Sequence, residues 1–462
     1  MVLDHSKPHQ KYFERICAIP HVSYNEKALS DYIVSRAREL GYWHHQDELH
    51  NVIVRVPASP GYEDSEPLML QGHMDMVGTK LPDCGHDFDT DPLRLYVEDG
   101  VLRARGTTLG ADDGVAVAYM LAIMDEREAP HPPLDCVFTV QEEVGCVGAR
   151  ATAESGFIRA RRMIGLDAAG EHVTVVGNYC SDKLITDLPL RRAPLAGERV
   201  LRAELSGIAP PSFGLEALDE RANAVKYLAW LLQNAGGELR LISLCGGTAE
   251  NAHPLSCTAE LAAWDADSVR AHLTELTDKG LRLELTESTA EEAFDAESTA
   301  AALAMIGELP NGTIEHTDEY MLTSNLIGMV ETTAEGLRLT GSTRCRSSEL
   351  NGALLASLRA AADKYGARQS TEVRYRSWDY MENSPLRELF ARLVRSEWER
   401  EIREEICPGG LEISDYAAAI PGLDAIAIGP LSGDYHVPAE WLDIASFDRV
   451  YDMLLKMLEN LK

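Results

Sequence analysis

His73 and Asp75 are the first residues of this 462-residue sequence whose types and spacing suggest chemistry. They follow an apolar run, residues 68–70, that is typical of the end of a buried strand. Because alternate side chains of a strand point to the same side, a His and an Asp two positions apart can face one site. A neutral imidazole binds metal ions, and a nearby carboxylate can fix its tautomer. Taken alone, the pair is more typical of a core histidine beside a solvated aspartate, so the case for a metal site depends on the stretches that follow.

Four more polar stretches lie at the ends of predicted strands, at the start of a helix or in a late loop. They contain Asp112 with Asp113, Glu142 with Glu143, Asp167, and His436. Each has an ordinary alternative as a helix cap, a solvated acidic loop or a surface histidine. Together they predict one site, because α/β folds bind ligands at the ends of strands. Two histidines with several carboxylates suit two zinc-like ions that activate water, with one acid left free to move the proton.

The composition excludes several classes of function. A formal net charge of −31 argues against nucleic-acid binding and against docking on anionic lipid. The sequence has no apolar run of membrane-spanning length and no apolar signal-peptide core at its N-terminus, so we expect a cytoplasmic protein. Its nine cysteines form no CxxC pair and are expected to be reduced thiols.

The order of predicted elements indicates an α/β fold with an insertion. Helices and strands alternate up to residue 166, which predicts a mixed sheet covered by helices. Paired strands with helices then predict a separate α+β module, and the earlier pattern returns from residue 384. We therefore expect a discontinuous catalytic domain, residues 1–181 and 380–462, interrupted by an inserted domain, residues 182–379.

The five polar stretches resemble those of the dizinc M20 metallopeptidases, and within them those of the aminoacyl-histidine (Xaa-His or carnosine-type) dipeptidases. The segments that carry this resemblance are residues 70–77, 106–114, 142–143, 167 and 436. Further matching segments run almost end to end: residues 246–252, 323–325, 346–348, 410–412 and 429–430. The resemblance implies a zinc-peptidase-like catalytic domain whose inserted domain acts as a lid and mediates homodimerisation.

The resemblance also implies a complete set of metal ligands for two divalent ions, Zn²⁺ first, with Mn²⁺ or Co²⁺ as alternatives. Asp112 would bridge the ions and would be followed by a cis peptide bond. His73 and Asp167 would bind one ion, and Glu143 and His436 would bind the other.

For catalysis, the resemblance implies that Asp75 orients the first metal-binding histidine and that Glu142 is the general base. It further implies that Asn251, Arg346 and Glu412 contact the substrate. These roles make a small dipeptide the expected substrate, with Xaa-His dipeptides such as β-alanyl-histidine as candidates.

One loop departs from the family pattern. Where the group carries Gly-Gly-His-Ser-Gly, residues 210–214 read Pro-Pro-Ser-Phe-Gly, with Ser212 near the histidine position. That histidine helps to stabilise the oxyanion, and loss of such a donor typically costs about 10²–10³ in rate. His253 could replace it or could be a surface histidine. The segments 408–412 and 436–440 also depart from the family pattern.

These departures keep two further functions open. One is an M20-type deacylase or amidohydrolase acting on a non-histidine amide. The other is a catalytically weak, metal-binding dimer that recognises a small ligand or protein.

Overall fold

The computed structural model of the protein describes residues 1–126, 129–209, 223–318 and 320–462. The chain divides into two units, Met1–Asn178 with Trp378–Lys462, and Tyr179–Ser377. The boundaries expected from the sequence were 181/182 and 379/380. The predicted α/β class with a mixed sheet is confirmed in the discontinuous unit.

The discontinuous unit contains helices on both sides of the insertion. They are α1 (Pro8–Ile16), α2 (Lys27–Leu40), α3 (Ala111–Asp125), α4 (Val147–Glu154), α9 (Pro385–Trp398), α10 (Ile413–Ala419) and α11 (Ile444–Glu459). Its strands are β1 (Trp43–Gln46), β2 (Val52–Val56), β3 (Leu68–His73), β4 (Leu95–Glu98), β5 (Val101–Ala104), β6 (Leu134–Thr139), β7 (Arg162–Gly165), β8 (Val173–Asn178), β20 (Arg403–Cys407), β21 (Asp424–Ala427), β22 (Ser432–Gly433) and β23 (Trp441–Asp443).

The main sheet of this unit has the strand order β1-β2-β6-β3-β7-β21-β8-β20. Its four central strands, β6, β3, β7 and β21, run parallel. Strands β3 and β6 are buried along their whole length, which agrees with their almost continuous apolar sequence. The carboxyl ends of the parallel strands therefore lie at one edge of the sheet.

The core packs against both faces of this sheet. Leu70 and Phe138 contribute to one hydrophobic cluster, and Met69 and Val137 to another, as alternation along a strand requires. Every residue of α3 from position 113 to 124 is buried, which is typical of a helix enclosed by other elements.

The inserted unit is α+β. Its helices are α5 (Ala224–Gln233), α6 (Ala266–Leu276), α7 (Ala296–Glu308) and α8 (Ser348–Asp363). Its strands are β9 (Ser181–Pro189), β10 (Arg192–Pro194), β11 (Arg199–Ser206), β12 (Leu239–Gly246), β13 (Cys257–Ala263), β14 (Arg282–Ser288), β15 (Glu292–Phe294), β16 (Gly312–His316), β17 (Met321–Thr332), β18 (Gly336–Cys345) and β19 (Arg368–Tyr375). The antiparallel sheet has the order β14-β11-β13-β12-β17-β18-β9-β19, with β16 beside β17.

One predicted helix differs in its start. The amphipathic sequence of residues 219–234 predicts one long helix, whereas α5 begins at Ala224. Asn223 has an extended backbone, and its side chain accepts hydrogen bonds from the Val225 and Lys226 N–H groups, so it caps the helix. Residues 219–222 lie outside the described ranges.

None of the helices in the described ranges combines the length and apolarity that a membrane crossing requires.

Gly72 allows α3 to approach the end of β3. A Cβ atom at this position would lie 2.1 Å from the Ala116 Cβ and 2.5 Å from the Asp113 Oδ2. Gly72→Ala is therefore expected to lower the free energy of unfolding by about 1–3 kcal/mol through overpacking. Urea unfolding would measure it, with Gly85→Ala as the control, because no heavy atom lies within 4 Å of a Cβ there. Equal unfolding midpoints for the two variants would contradict this assignment of close packing.

Candidate metal centre

Five predicted ligands meet at the carboxyl edge of the parallel strands. His73 is the last residue of β3, Glu143 follows β6, Asp167 follows β7, and Asp112 lies in the first turn of α3. His436 lies between β22 and β23, and the pairing of β23 with β5 holds this segment in place.

Asp112 is shared between two groups of ligand atoms. Atoms of His73, Asp112 and Asp167 lie within 4.8 Å of one another, as do atoms of Asp112, Glu143 and His436. The His73 Nε2 is 3.0 Å from the Asp112 Oδ1, and the His436 Nε2 is 3.3 Å from the Asp112 Oδ2. The two carboxylate oxygens of Asp112 thus face different histidines. This arrangement suits a carboxylate that bridges two cations.

Asp75 fixes His73 and also the loop that carries two glutamates. Its backbone carbonyl lies 2.9 Å from the His73 Nδ1, which leaves the His73 Nε2 facing the cluster. Its carboxylate accepts hydrogen bonds from the Ser23 Oγ at 2.7 Å and from the backbone N–H groups of Glu142 at 3.0 Å and Glu143 at 3.4 Å. The resemblance implies only that Asp75 orients His73. In the structure Asp75 contacts His73 and also holds the backbone of Glu142 and Glu143.

Glu440 is a positioning residue whose function the sequence analysis missed. Its carboxylate accepts four backbone hydrogen bonds, from the N–H groups of residues 109–112, at 2.7–3.3 Å. The N–H groups of residues 110–112 belong to the cap and first turn of α3, where helix N–H groups have no partner within the helix and an acid satisfies them well. Because Glu440 lies four residues after His436, it joins the loop of one candidate ligand to that of Asp112. The Asp112–Asp113 peptide bond is cis, as the resemblance implied.

Burial dominates the electrostatics of the acidic side chains. Burial first and repulsion from neighbouring carboxylates second outweigh the attraction of the histidines, and together they raise the pKa of Glu142 to about 8, that of Glu143 to about 7 and that of Asp167 to about 6. Burial also acts on Asp112, but hydrogen bonds from His436 and His73 hold the pKa of Asp112 well below its usual range.

The pKa values of both histidines are raised, so in the metal-free protein their protonated forms are favoured over the neutral imidazoles. The hydrogen bond with Asp112 raises the pKa of His436 to about 9. Burial opposes protonation of His73, yet hydrogen bonds with Asp112 and Asp75 raise the pKa of His73 well above its usual value. In the absence of other cations, the site thus gathers protons to offset its carboxylates.

The donor set fits divalent metal ions. It combines imidazole nitrogens with carboxylate oxygens, which are ligands that zinc accepts. The Glu143 Oε1 is buried and lies 2.9 Å from the His436 Nε2, so a proton on that imidazole or a cation between the two side chains can pair with it. A cation would satisfy this oxygen and would relieve the repulsion among the carboxylates.

The stability of the metal-free protein is expected to fall as the pH rises from about 5 to about 9. Folding raises the pKa of Glu142 to about 8 and that of Glu143 to about 7, so above the ordinary pKa of glutamate the folded protein holds more protons than the unfolded chain. The stability that depends on these protons is lost as the pH rises towards those values. The raised pKa of His436, about 9, acts in the same direction. Unfolding temperatures measured with a chelator at pH 6 and pH 9 would test this. Glu142→Gln should show a smaller decrease, and a flat or rising profile for the unmodified protein would refute the prediction.

Two predicted substrate contacts, Asn251 and Arg346, belong to the inserted unit. Asn251 is exposed, and the Arg346 guanidinium lies over the Tyr320 ring, 4.0 Å from its centroid. The divergent loop at residues 210–214 lies outside the described ranges. The Nδ1 of His253 is buried and has no hydrogen-bond partner among the described residues.

Glu412, the third predicted substrate contact, is only 3% exposed. Its Oε2 accepts hydrogen bonds from the Thr139 Oγ1, at 2.6 Å, and from the Gln71 Nε2. This burial favours a structural role for Glu412 over direct contact with a substrate.

Comparisons with known proteins show what the whole chain is similar to. The model of the Peptidase family M20/M25/M40 matches residues 69–460. The cytosol non-specific dipeptidase of Escherichia coli (strain K12) is 30% identical over 468 residues, covering 97% of this chain and 96% of the relative. The aminoacylhistidine dipeptidase of Vibrio alginolyticus superposes with a TM-score of 0.86 at 27% identity, covering 98% of this chain and 96% of the other. The aminopeptidase PepT of Bacillus cereus ATCC 10987, at 16% identity and a TM-score of 0.64 with 99% of both chains covered, shares the fold.

Proposed function

The chain belongs to the peptidase family M20/M25/M40, and from that premise we propose that it is a metal-dependent dipeptidase that hydrolyses small dipeptides. The observation that carries this proposal is the convergence of His73, Asp112, Glu143, Asp167 and His436. Two relatives that span nearly the whole chain are named as a non-specific dipeptidase and an aminoacylhistidine dipeptidase, which supports a dipeptide substrate. Xaa-His dipeptides, including β-alanyl-histidine, are the side-chain class that we propose first.

For the metal, we propose two divalent ions, zinc first and manganese or cobalt as alternatives. His73 and Asp167 would hold one ion, Glu143 and His436 the other, and Asp112 both. Bound there, the ions would polarise the scissile carbonyl and lower the pKa of the attacking water.

Glu142 is the residue that we propose as general base. Its neighbour in sequence, Glu143, is a ligand in this scheme, and the Asp75 carboxylate holds the backbone N–H groups of both. Carboxylate oxygens of Glu142 and Glu143 and a ring nitrogen of His73 lie within 4.8 Å of one another, so Glu142 adjoins the proposed metal sites, and in this scheme it is the acid that stays off the metals. It would take the proton of the attacking water and pass it to the leaving amine.

Asn251 and Arg346 are the substrate contacts that we propose in the inserted unit. A guanidinium binds carboxylates through two parallel hydrogen bonds, so Arg346 suits the terminal carboxylate of a dipeptide. The Tyr320 ring against its face would limit the orientations that this guanidinium adopts.

We also propose a cytoplasmic homodimer that associates through the inserted domain, residues 182–379. The name of the Escherichia coli relative supports the location. Size-exclusion chromatography with light scattering would test the dimer, and a monomeric mass at micromolar concentration would refute it.

The function is tested with a substrate panel. The purified protein, loaded in turn with zinc, manganese and cobalt, is incubated with β-alanyl-histidine, other dipeptides and N-acyl amino acids, and amine release is measured. Hydrolysis of dipeptides supports the proposal. Hydrolysis of N-acyl amino acids alone would identify a deacylase, and peptide binding without hydrolysis under every metal would identify a ligand-recognition protein.

A further inference from the structure

Glu412 reaches the carboxyl ends of two central strands from the start of α10. Its Oε2 accepts hydrogen bonds from Gln71, near the end of β3, and from Thr139, the last residue of β6. The Gln71 Nε2 also lies 3.3 Å from the Thr139 Oγ1, so the three side chains form one buried hydrogen-bonded group, called here the strand-end triad.

The strand-end triad adjoins every strand that carries a candidate ligand from the parallel sheet. Gln71 lies two residues before His73, and Thr139 lies four residues before Glu143. The Gln71 carbonyl accepts a hydrogen bond from the Leu166 N–H at 2.9 Å, and Asp167 is the next residue. The triad side chains therefore join the ends of β3 and β6, and the Gln71 backbone extends the connection to β7, so all three strands that lead into candidate ligands are linked.

The burial of Glu412, together with its hydrogen-bond pattern, favours a neutral acid over a carboxylate, because a buried charge costs more than a buried neutral group. Both of its donors go to Oε2, whereas Oε1 is buried and has no partner among the described residues. An ionised carboxylate with an unpaired buried oxygen would carry a large desolvation cost. Burial also raises the pKa of Glu412 well above its usual value, which agrees with this assignment.

We propose that Glu412 is a positioning residue of the metal centre, a neutral acid that holds the ends of β3 and β6 through Gln71 and Thr139 and does not touch the substrate. Supporting groups around metal ligands set ligand orientation, and their loss typically costs about 10–100-fold in metal affinity or activity. The kinetic part of this inference rests on the proposed dipeptidase function, whereas the metal-binding part does not.

The test compares Glu412→Gln with Glu412→Ala. The amide oxygen of Gln can accept both hydrogen bonds, and its NH₂ group takes the place of the protonated oxygen. Glu412→Gln should therefore keep the zinc affinity, kcat and KM of the unmodified protein within about 3-fold, as expected when a neutral hydrogen-bonded group is conserved. Glu412→Ala should lower zinc affinity and kcat by about 10–100-fold while KM changes little. Zinc affinity is read by competition with a chromophoric chelator.

Glu440→Gln is the matched control. Both carboxylate oxygens of Glu440 accept backbone N–H groups, so an amide NH₂ there must face donors. This variant should lose zinc affinity by about 10–100-fold, which shows that the assay detects a buried Glu→Gln change that is not tolerated.

Several outcomes would overturn the inference. A raised KM in Glu412→Gln, with zinc affinity and kcat unchanged, would show that a charged Glu412 binds the substrate. Normal zinc affinity and kcat in Glu412→Ala would show that Glu412 does not position the metal ligands.

Should Glu412→Ala fail to fold, Thr139→Val provides a second test, because it removes one hydrogen-bond donor of the triad. It should reduce zinc affinity, and unchanged affinity would count against the inference. If the unmodified protein hydrolyses no dipeptide, the proposed function fails, and the zinc series still decides the role of Glu412.

Discussion

Glu142→Gln is expected to lower kcat for dipeptide hydrolysis by about 10²–10⁴-fold, the contribution of a positioned general base, and to leave metal binding intact. The substitution preserves the shape of the side chain and removes its ability to take a proton. The backbone N–H of residue 142 still donates to the Asp75 carboxylate, so the loop should keep its conformation. The loss should therefore fall on kcat, with little change in KM.

The measurement pairs steady-state kinetics with metal content determined by elemental analysis. Glu143→Gln is the matched variant, because it alters the adjacent acid by the same chemical change but removes a proposed ligand. We expect Glu142→Gln to retain two ions per chain and Glu143→Gln to lose metal together with activity. Unchanged turnover in Glu142→Gln would remove Glu142 from its role. Loss of metal from the Glu142→Gln variant would show that Glu142 is a metal ligand.

The ends of the central strands could be predicted from the sequence because two local signals coincide there. Strand β3 begins with the apolar run 68–70 and ends at His73, and the mostly apolar strand β6 ends three residues before Glu142. The hairpin of β4 and β5 has an equally local signal in the sequence, because the Asp99-Gly100 pair is typical of a tight hairpin turn and both residues adopt the left-handed conformation. In each case, residues adjacent in sequence determine the structure.

Other parts of the structure have no such signal in their own sequence segments. Strand β20 is an edge strand, exposed over most of its length, so its sequence lacks the alternation that marks a buried strand. The bonds from Glu440 to the start of α3 join residues more than 300 positions apart. Likewise, the burial of Glu412 depends on where α10 meets β3 and β6. These contacts arise from tertiary packing, and the hydrophobic periodicity of a single sequence does not predict which distant residues meet.

Asp112→Asn is expected to abolish binding of at least one of the two ions and to reduce dipeptide hydrolysis to background. Both carboxylate oxygens of Asp112 face the cluster, one towards His73 and the other towards His436. Asparagine offers a single oxygen ligand, and its NH₂ group repels a cation. It also removes a negative charge that both sites would share, so the remaining ion should bind more weakly.

The change can be followed without any substrate. A ligand present at about 100 times its Kd stabilises a folded protein by about 2.7 kcal/mol for each site. Zinc should therefore raise the unfolding temperature of the unmodified protein through two sites and that of Asp112→Asn through one site or none. Asp99→Asn, an exposed acid in the turn between β4 and β5, is the control and should respond to zinc as the unmodified protein does. Two zinc ions per chain in Asp112→Asn, with an unchanged thermal response, would show that residue 112 does not bridge the ions, and the proposed centre would need a different ligand.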